Sequence, residues 1–297
     1  MKKSKTIISP LQIILGLILI VYSALLLFLF VWAFINSFKS GLGFDLDPVG
    51  LPKAKDKDLV SFTNYFDAFK AVRISVTLKG KSYWIYFPEL FWNSALYALG
   101  CSFFATITPC LVAYVTSKYK LKINRIIYGI VIAVMVTPIV GSLPSQIQMV
   151  KLLGLFDTHV GLWFTAMTFL GTYYLVFYAI FKGLSWEYAE AAFIDGANHF
   201  TVLFRVMLPL IRNTFMVVML LNFIARWNDY QTSWIFLPNR PTAAVGVQFF
   251  SRSAENRYRV VPIKLAASIM LLAPVVLLFI LFKNKLVGNL TVGGIKG

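Results

Sequence analysis

Apolar and polar positions divide this chain into long greasy runs separated by short basic or glycine-rich turns. Residues 11–35, "LQIILGLILIVYSALLLFLFVWAFI", carry no charge, and uncharged runs of similar length recur at 91–117, 126–150 and 158–181. A shorter run covers 265–282, and another, 213–225, reaches spanning length only if it takes in Val206 to Arg212. A hydrocarbon core of about 30 Å needs roughly 20 apolar residues in helical form. Arg212 would lie within reach of the headgroups, where its long stem can snorkel. The pattern predicts an all-α integral membrane protein with six transmembrane helices, a single transmembrane domain over 11–297 after a short N-terminus at 1–10.

Composition agrees. The chain is 59% hydrophobic and 13% charged, with mean hydropathy +0.74, whereas soluble domains carry about a quarter charged residues. The net charge of +16 does not indicate nucleic acid, because the basic residues lie in loops with no soluble domain to form a groove. Their distribution sets orientation instead. Lys2, Lys3 and Lys5 precede the first span, Lys118, Lys120, Lys122 and Arg125 fill the turn after the second, and Lys283, Lys285 and Lys296 follow the sixth. With six spans all fall on one side, which predicts both termini in the cytoplasm. The first span is longer than a signal-peptide core and lacks a small-residue cleavage site, so it is read as retained. Cys101 and Cys110 lie nine residues apart on one helix, roughly 13 Å at 1.5 Å per residue, too far for a disulfide.

Two interruptions stand out. Residues 39–90 open with "GLGFDLDPVGLPKAKDKD", a surface-loop composition. Then "ISVTLKGKSYWIYF" (74–87) suggests a hairpin about Lys79-Gly80, an extracytoplasmic cap without catalytic role. The second interruption, "EYAEAAFIDGANHF" (187–200), looks water-soluble yet lies between spans. Ser185 can cap its helix, and Glu187 suits the positive end of the dipole. Ala189, Ala191 and Ala192 leave one side without bulk, for close approach of a partner. Gly196 permits a turn, a second helix resumes through Phe200, Phe204 and Leu208, and Pro209 marks a bend near span five. So little apolar surface implies that another protein covers the segment; the plainer alternative is a solvated connector.

These residues carry a resemblance. "EAAFIDG" followed nine residues later by "VMLP" resembles the EAA loop of binding-protein-dependent ABC importer permeases, with Glu190, Ala191, Ala192, Gly196, Leu208 and Pro209 on the pattern and Val206 where Ile is usual. Asp195 and Ala197 complete a typical "DGA". "WNSALYALG" (92–100) and "AYVTSKYKLK" (113–122) resemble the family's second span and basic turn. "FIARWNDYQTSWIFLPNRPTAAVGVQFF" (223–250) and the terminal "LTVGGIKG" (290–297) resemble the MalG-like branch of carbohydrate permeases. The resemblance implies the type I importer fold in a bacterial cell membrane, with 183–205 as a cytoplasmic coupling loop docking on a separate ATPase and 39–90 as the least matched region. It also implies a tail, 283–297, whose Thr291, Gly293, Gly294, Lys296 and Gly297 reach the ATPase interface. The implied partners are a dimer of ATPase subunits holding ATP and Mg, a second MalF-like permease, an extracytoplasmic solute-binding protein, a carbohydrate and membrane lipid.

The chain has no Gly-x-x-x-x-Gly-Lys-Ser/Thr loop, so it is not the ATPase, and neither a catalytic residue nor a metal or cofactor site is expected in it. An ion-coupled transporter would place carboxylates in the spans, and the first four have none. A membrane-embedded enzyme would need clustered His, Asp or Glu. An importer for a non-sugar solute is the nearest alternative. For the substrate pathway the candidates are Asn222, Trp227, Asn228 and Asp229 near the outer end of span five, and Gln146 and Gln148 near that of span three. Against each stands a role in helix–helix hydrogen bonding or interfacial anchoring. Tyr173, Tyr174 and Tyr178 are read as packing residues.

Overall fold

The computed structural model describes residues 9–51, 61–137, 141–252 and 260–290, with side chains as far as Lys283. Helix α1 (Pro10–Asn36) begins with a capping box in which Ser9 and Gln12 each accept the other's backbone N–H. Then come α2 (Gly41–Leu46), α3 (Thr63–Ala71), β1 (Arg73–Leu78), β2 (Lys81–Tyr86) and α4 (Phe87–Lys118). Shorter helices follow: α5 (Ile123–Val136), α6 (Ser142–Leu152), α7 (His159–Ala166), α8 (Thr172–Gly183), α9 (Glu187–Ile194) and α10 (His199–Thr201). A π-helical stretch, Val202–Met207, leads to α11 (Leu208–Leu210), α12 (Arg212–Trp227), α13 (Tyr230–Phe236), α14 (Ala243–Arg252) and α15 (Val261–Leu290).

The chain forms two compact units, residues 1–72 with 250–271, and residues 73–249 with 272–297. In the first, the end of α1 is held to the following loop. Trp32 Nε1 donates to Pro48 O at 2.7 Å, and the buried Lys39 donates from Nζ to Asp47 O at 2.6 Å. Asn64 Nδ2 donates to Ser37 O and Lys39 O. The rest of α1 is apolar and uncovered, as a helix facing lipid is.

In the second unit α4 is central, with α12, α8 and α7 packed on it. The strands pair antiparallel from Arg73↔Tyr86 to Leu78↔Lys81. Lys79 and Gly80 both have positive φ, the signature of a type I′ turn, so the hairpin read from "LKGK" is present. Trp163 Nε1 donates to Leu96 O at 3.1 Å, lying over Gly100 where a Cβ would meet the indole. The segment after α13 is tied to α4: Asn93 Nδ2 donates to Pro241 O, and the buried Ser94 Oγ accepts from Ala243 N at 2.7 Å.

Among the described residues, three helices are long and apolar enough to cross a membrane: α1, α4 and Val261–Lys283 of α15. A fourth candidate is the pair His199–Leu210 and Arg212–Trp227, bent by 79°. The runs 126–150 and 158–181, read as single spans, are each two helices. Gly141 has φ of 82°, which an α-helix cannot continue, and the second run opens between Met167 and Gly171. Cys101 and Cys110 are free and buried on α4.

Candidate functional site

The predicted docking loop folds as a helix, a glycine turn and a second short helix. Ser185 Oγ accepts from Glu187 N at 3.2 Å, but the cap position of α9 is Trp186, which makes no side-chain cap. At the other end Gly196 has φ of 85° and donates to Phe193 O, while Ala197 donates to Ala192 O. Asn198 Oδ1 then caps α10 by accepting from Thr201 N. The loop is braced from below: Lys118 Nζ donates to Leu184 O, Tyr119 OH meets His199 Nδ1 at 2.8 Å, and Phe193 packs edge-on against His199.

The faces of α9 differ from the sequence expectation. Ala189 is wholly buried, in a cluster with Tyr114, Phe181, Val202 and Met207. Its small side chain lets α9 lie close on its own chain, not on a partner. The outward face carries Glu187, Glu190, Ala191 and Asp195, together with Tyr188 (53% exposed) and Ile194 (86%), and Phe200 (75%) follows on α10. Exposed apolar side chains rimmed by polar residues are one general mark of interaction sites. Leu208 is half-buried and Pro209 exposed, with Pro209 in the first turn of α11, and the bend itself falls two residues later at Ile211.

The second constellation lies on α4 and α12. Asn222 Nδ2 donates to Thr106 Oγ1 at 3.1 Å. Asp229, just past α12, caps the start of α13 and serves three partners: Tyr97 OH donates to Oδ2 at 3.0 Å, Arg226 pairs with Oδ2 at 3.5 Å, and Thr232 N donates to Oδ1 at 2.9 Å. Asn222 and Arg226 border a cleft of 130 Å³ with Thr168 and Gly171 from the break between α7 and α8, and with Tyr173. Ala105 and Pro109 of α4 also line it. Proline has no N–H to donate to the carbonyl four residues back, so the carbonyl of Ala105 loses its helical donor at the cleft. Irregular backbone at membrane depth is tolerated where it is buried in protein or lines a wet cavity. Here both interruptions, the α7–α8 break and the proline, border one polar cleft.

The profile of the family described as "Binding-protein-dependent transport system inner membrane component" matches residues 105–287. The chain belongs to this family. It is a multi-pass membrane permease of the binding-protein-dependent type. The diacetylchitobiose uptake permease NgcG of Streptomyces coelicolor is 24% identical over 93% of this chain and 86% of its own. The arabinooligosaccharides permease AraQ of Bacillus subtilis is 27% identical over 86% and 83%. The sulfoquinovosyl glycerol permease SmoH of Agrobacterium fabrum is 26% identical over 97% and 94%. In fold, the permease resembles a chain in the crystal structure of a bacterial ABC transporter that imports the acidic polysaccharide alginate, with TM-score 0.66 at 19% identity over 96% of this chain and 99% of that one.

Of the pathway residues read from the permease sequence, Asn222 borders the cleft and Asp229 joins it through Arg226. Trp227 does not: it is 2% exposed, between Phe91 and Phe223, and is a packing residue. Asn228 is exposed and donates to Ile224 O. Gln146 and Gln148 are exposed on α6, Gln146 reaching Ser142 and Gln148 lining a different cleft with Lys151. Sequence reasoning missed Arg226, Tyr97 and Thr106. The signal for Arg226 was present, a charge following directly on an apolar span, where it asks for a partner. The tail residues 291–297 lie outside the described residues.

Proposed function

We propose that this chain is one permease subunit of an ATP-driven carbohydrate importer, forming half of the translocation pathway between itself and a second, MalF-like permease. The relatives whose names specify substrates carry sugars or sugar conjugates, which supports carbohydrate as the cargo. The exposed face of α9 carries the coupling role: Glu190, Ala191, Asp195 and Gly196 are exposed, and Tyr188 and Ile194 offer exposed apolar side chains. That face docks on an ATPase subunit, which holds ATP and Mg. Six crossings follow if the pairs α5–α6 and α7–α8 and the bent pair each count as one. Both termini and the coupling loop then share the cytoplasmic side, where the tail with Thr291, Gly293, Gly294, Lys296 and Gly297 also reaches the ATPase. A solute-binding protein delivers the sugar from outside, and Asn222, Arg226 and Asp229 offer donors and acceptors along its way.

The test is mild cross-linking in intact cells, followed by purification of the tagged chain and identification of its partners and any retained sugar. Recovery of an ATPase, a second permease and a solute-binding protein supports the importer. Reproducible recovery of this chain alone overturns it.

A further inference from the structure

Where α4 leaves the membrane there is an apolar groove between its end and the last residues of the coupling loop, apart from the outward face of α9 and from the polar cleft. It measures 310 Å³, within the range of about 300–1,000 Å³ typical of small-molecule sites. Leu111 and Val115 of α4 form one wall, and Phe200 and Leu203 the other. Leu121 closes the end, and no acidic residue lines it. Tyr114 also borders the groove, its ring edge-on to Tyr119. Beside it runs the basic turn Lys118-Tyr119-Lys120-Leu121-Lys122, with Arg125 one helical turn on. Lys118 is engaged by Leu184 O. Lys120, Lys122 and Arg125 are exposed, and among the described residues the one ion pair is Arg226–Asp229.

Depth decides the occupant. Leu111 precedes Lys118 by seven residues of helix, about 10 Å at 1.5 Å per residue, so the inner wall belongs to the apolar span while the rim carries unpaired cations. A soluble partner reaches the rim but not the wall, and a lipid reaches both. Basic pockets beside membrane helices hold anionic headgroups through the same combination.

We propose that this groove holds one anionic phospholipid, its acyl chain along Leu111, Val115 and Leu203 and its phosphate on Lys120 and Lys122. The lipid would then hold the end of α4 against the last residues of the coupling loop.

The test uses the assembled transporter in nanodiscs of phosphatidylcholine with or without phosphatidylglycerol, with retained lipid counted by native mass spectrometry. The wild type should keep phosphatidylglycerol in preference to phosphatidylcholine. Lys120→Ala/Lys122→Ala should lower that retention roughly tenfold or more, the effect of two surface cations. Val115→Trp, which fills the groove and keeps the charges, should lower it as well. Lys79→Ala/Lys81→Ala, at the exposed hairpin tip, is the control and should leave retention unchanged. Equal retention in all variants, or an equal fall in the control, overturns the proposal. So does loss of ATPase co-purification with lipid retention intact, which would assign the groove to the ATPase. Loss of lipid with the ATPase still bound supports it and leaves the coupling role of α9 untouched.

Discussion

The Tyr97 hydroxyl donates to Asp229 at 3.0 Å, joining residues 132 positions apart, and the same carboxylate oxygen faces Arg226 at 3.5 Å. Asp229 therefore fixes the end of α12 to α4 while holding a cation at the edge of the polar cleft. Tyr97→Phe should cost about 1.5–3 kcal/mol, the usual worth of a hydrogen bond to a charged group, read as a lower unfolding temperature in detergent. Arg226→Met should slow transport more than it lowers that temperature, because it also removes a donor from the cleft. Equal uptake by Arg226→Met and wild type would remove Arg226 from the pathway.

Gly196 turns the loop between α9 and α10 in left-handed backbone, and a Cβ built there meets nothing within 4 Å. The cost of a side chain is therefore conformational alone, about 1–3 kcal/mol for a residue held in a sparsely populated region. Gly196→Val should weaken ATPase association or coupling, and Gly196→Asn should do so less, since asparagine visits this region more readily. Transport at wild-type rate with normal ATPase association in the valine variant would remove the turn from the docking geometry.

Ile194 is 86% exposed, so Ile194→Asp should leave thermal stability within about 0.5 kcal/mol of wild type. It should nevertheless abolish or strongly reduce ATPase co-purification. Ala189→Leu forms the complementary experiment: at a fully buried position it should lower stability by about 1–3 kcal/mol through overpacking. If Ile194→Asp retains the ATPase in full, the outward face of α9 is not the docking face.

Gly100→Ala should destabilise α4 against α7. The added methyl would lie 2.0 Å from Trp163 Nε1, so the indole must move and give up its hydrogen bond to Leu96 O. A loss of about 1–3 kcal/mol is expected, measurable by thermal unfolding, and Trp163→Phe in the same background should recover part of it.

Ser94→Ala should loosen the segment that follows α13. It leaves Ala243 N buried without its acceptor, at about 1–3 kcal/mol. Limited proteolysis of the intact protein should then cut near 238–242 sooner than in wild type.

Much of this arrangement was legible from residues. Helices α1, α4 and α15 are read directly because their apolar runs are long and unbroken. The hairpin and the turn at Gly196 are legible because Lys79-Gly80 and Gly196 signal positive φ. The breaks at Gly141 and between Met167 and Gly171 were not, because hydropathy stays high across them and registers only polarity, not backbone direction. Three alanines in four positions gave α9 a smooth side without saying what lies against it. The Tyr97–Asp229 contact needed the packing of α4 on α12, which no local pattern contains.

The stretch from Val202 to Met207 winds as a π-helix, and at Ile211 the chain swings through 79° into α12. Together they make a bell crank. On the docking proposed above, a push along the axis of residues 199–210 would arrive across α12, and a short stroke at that end would become a sideways swing of the helix that carries Asn222 and Arg226.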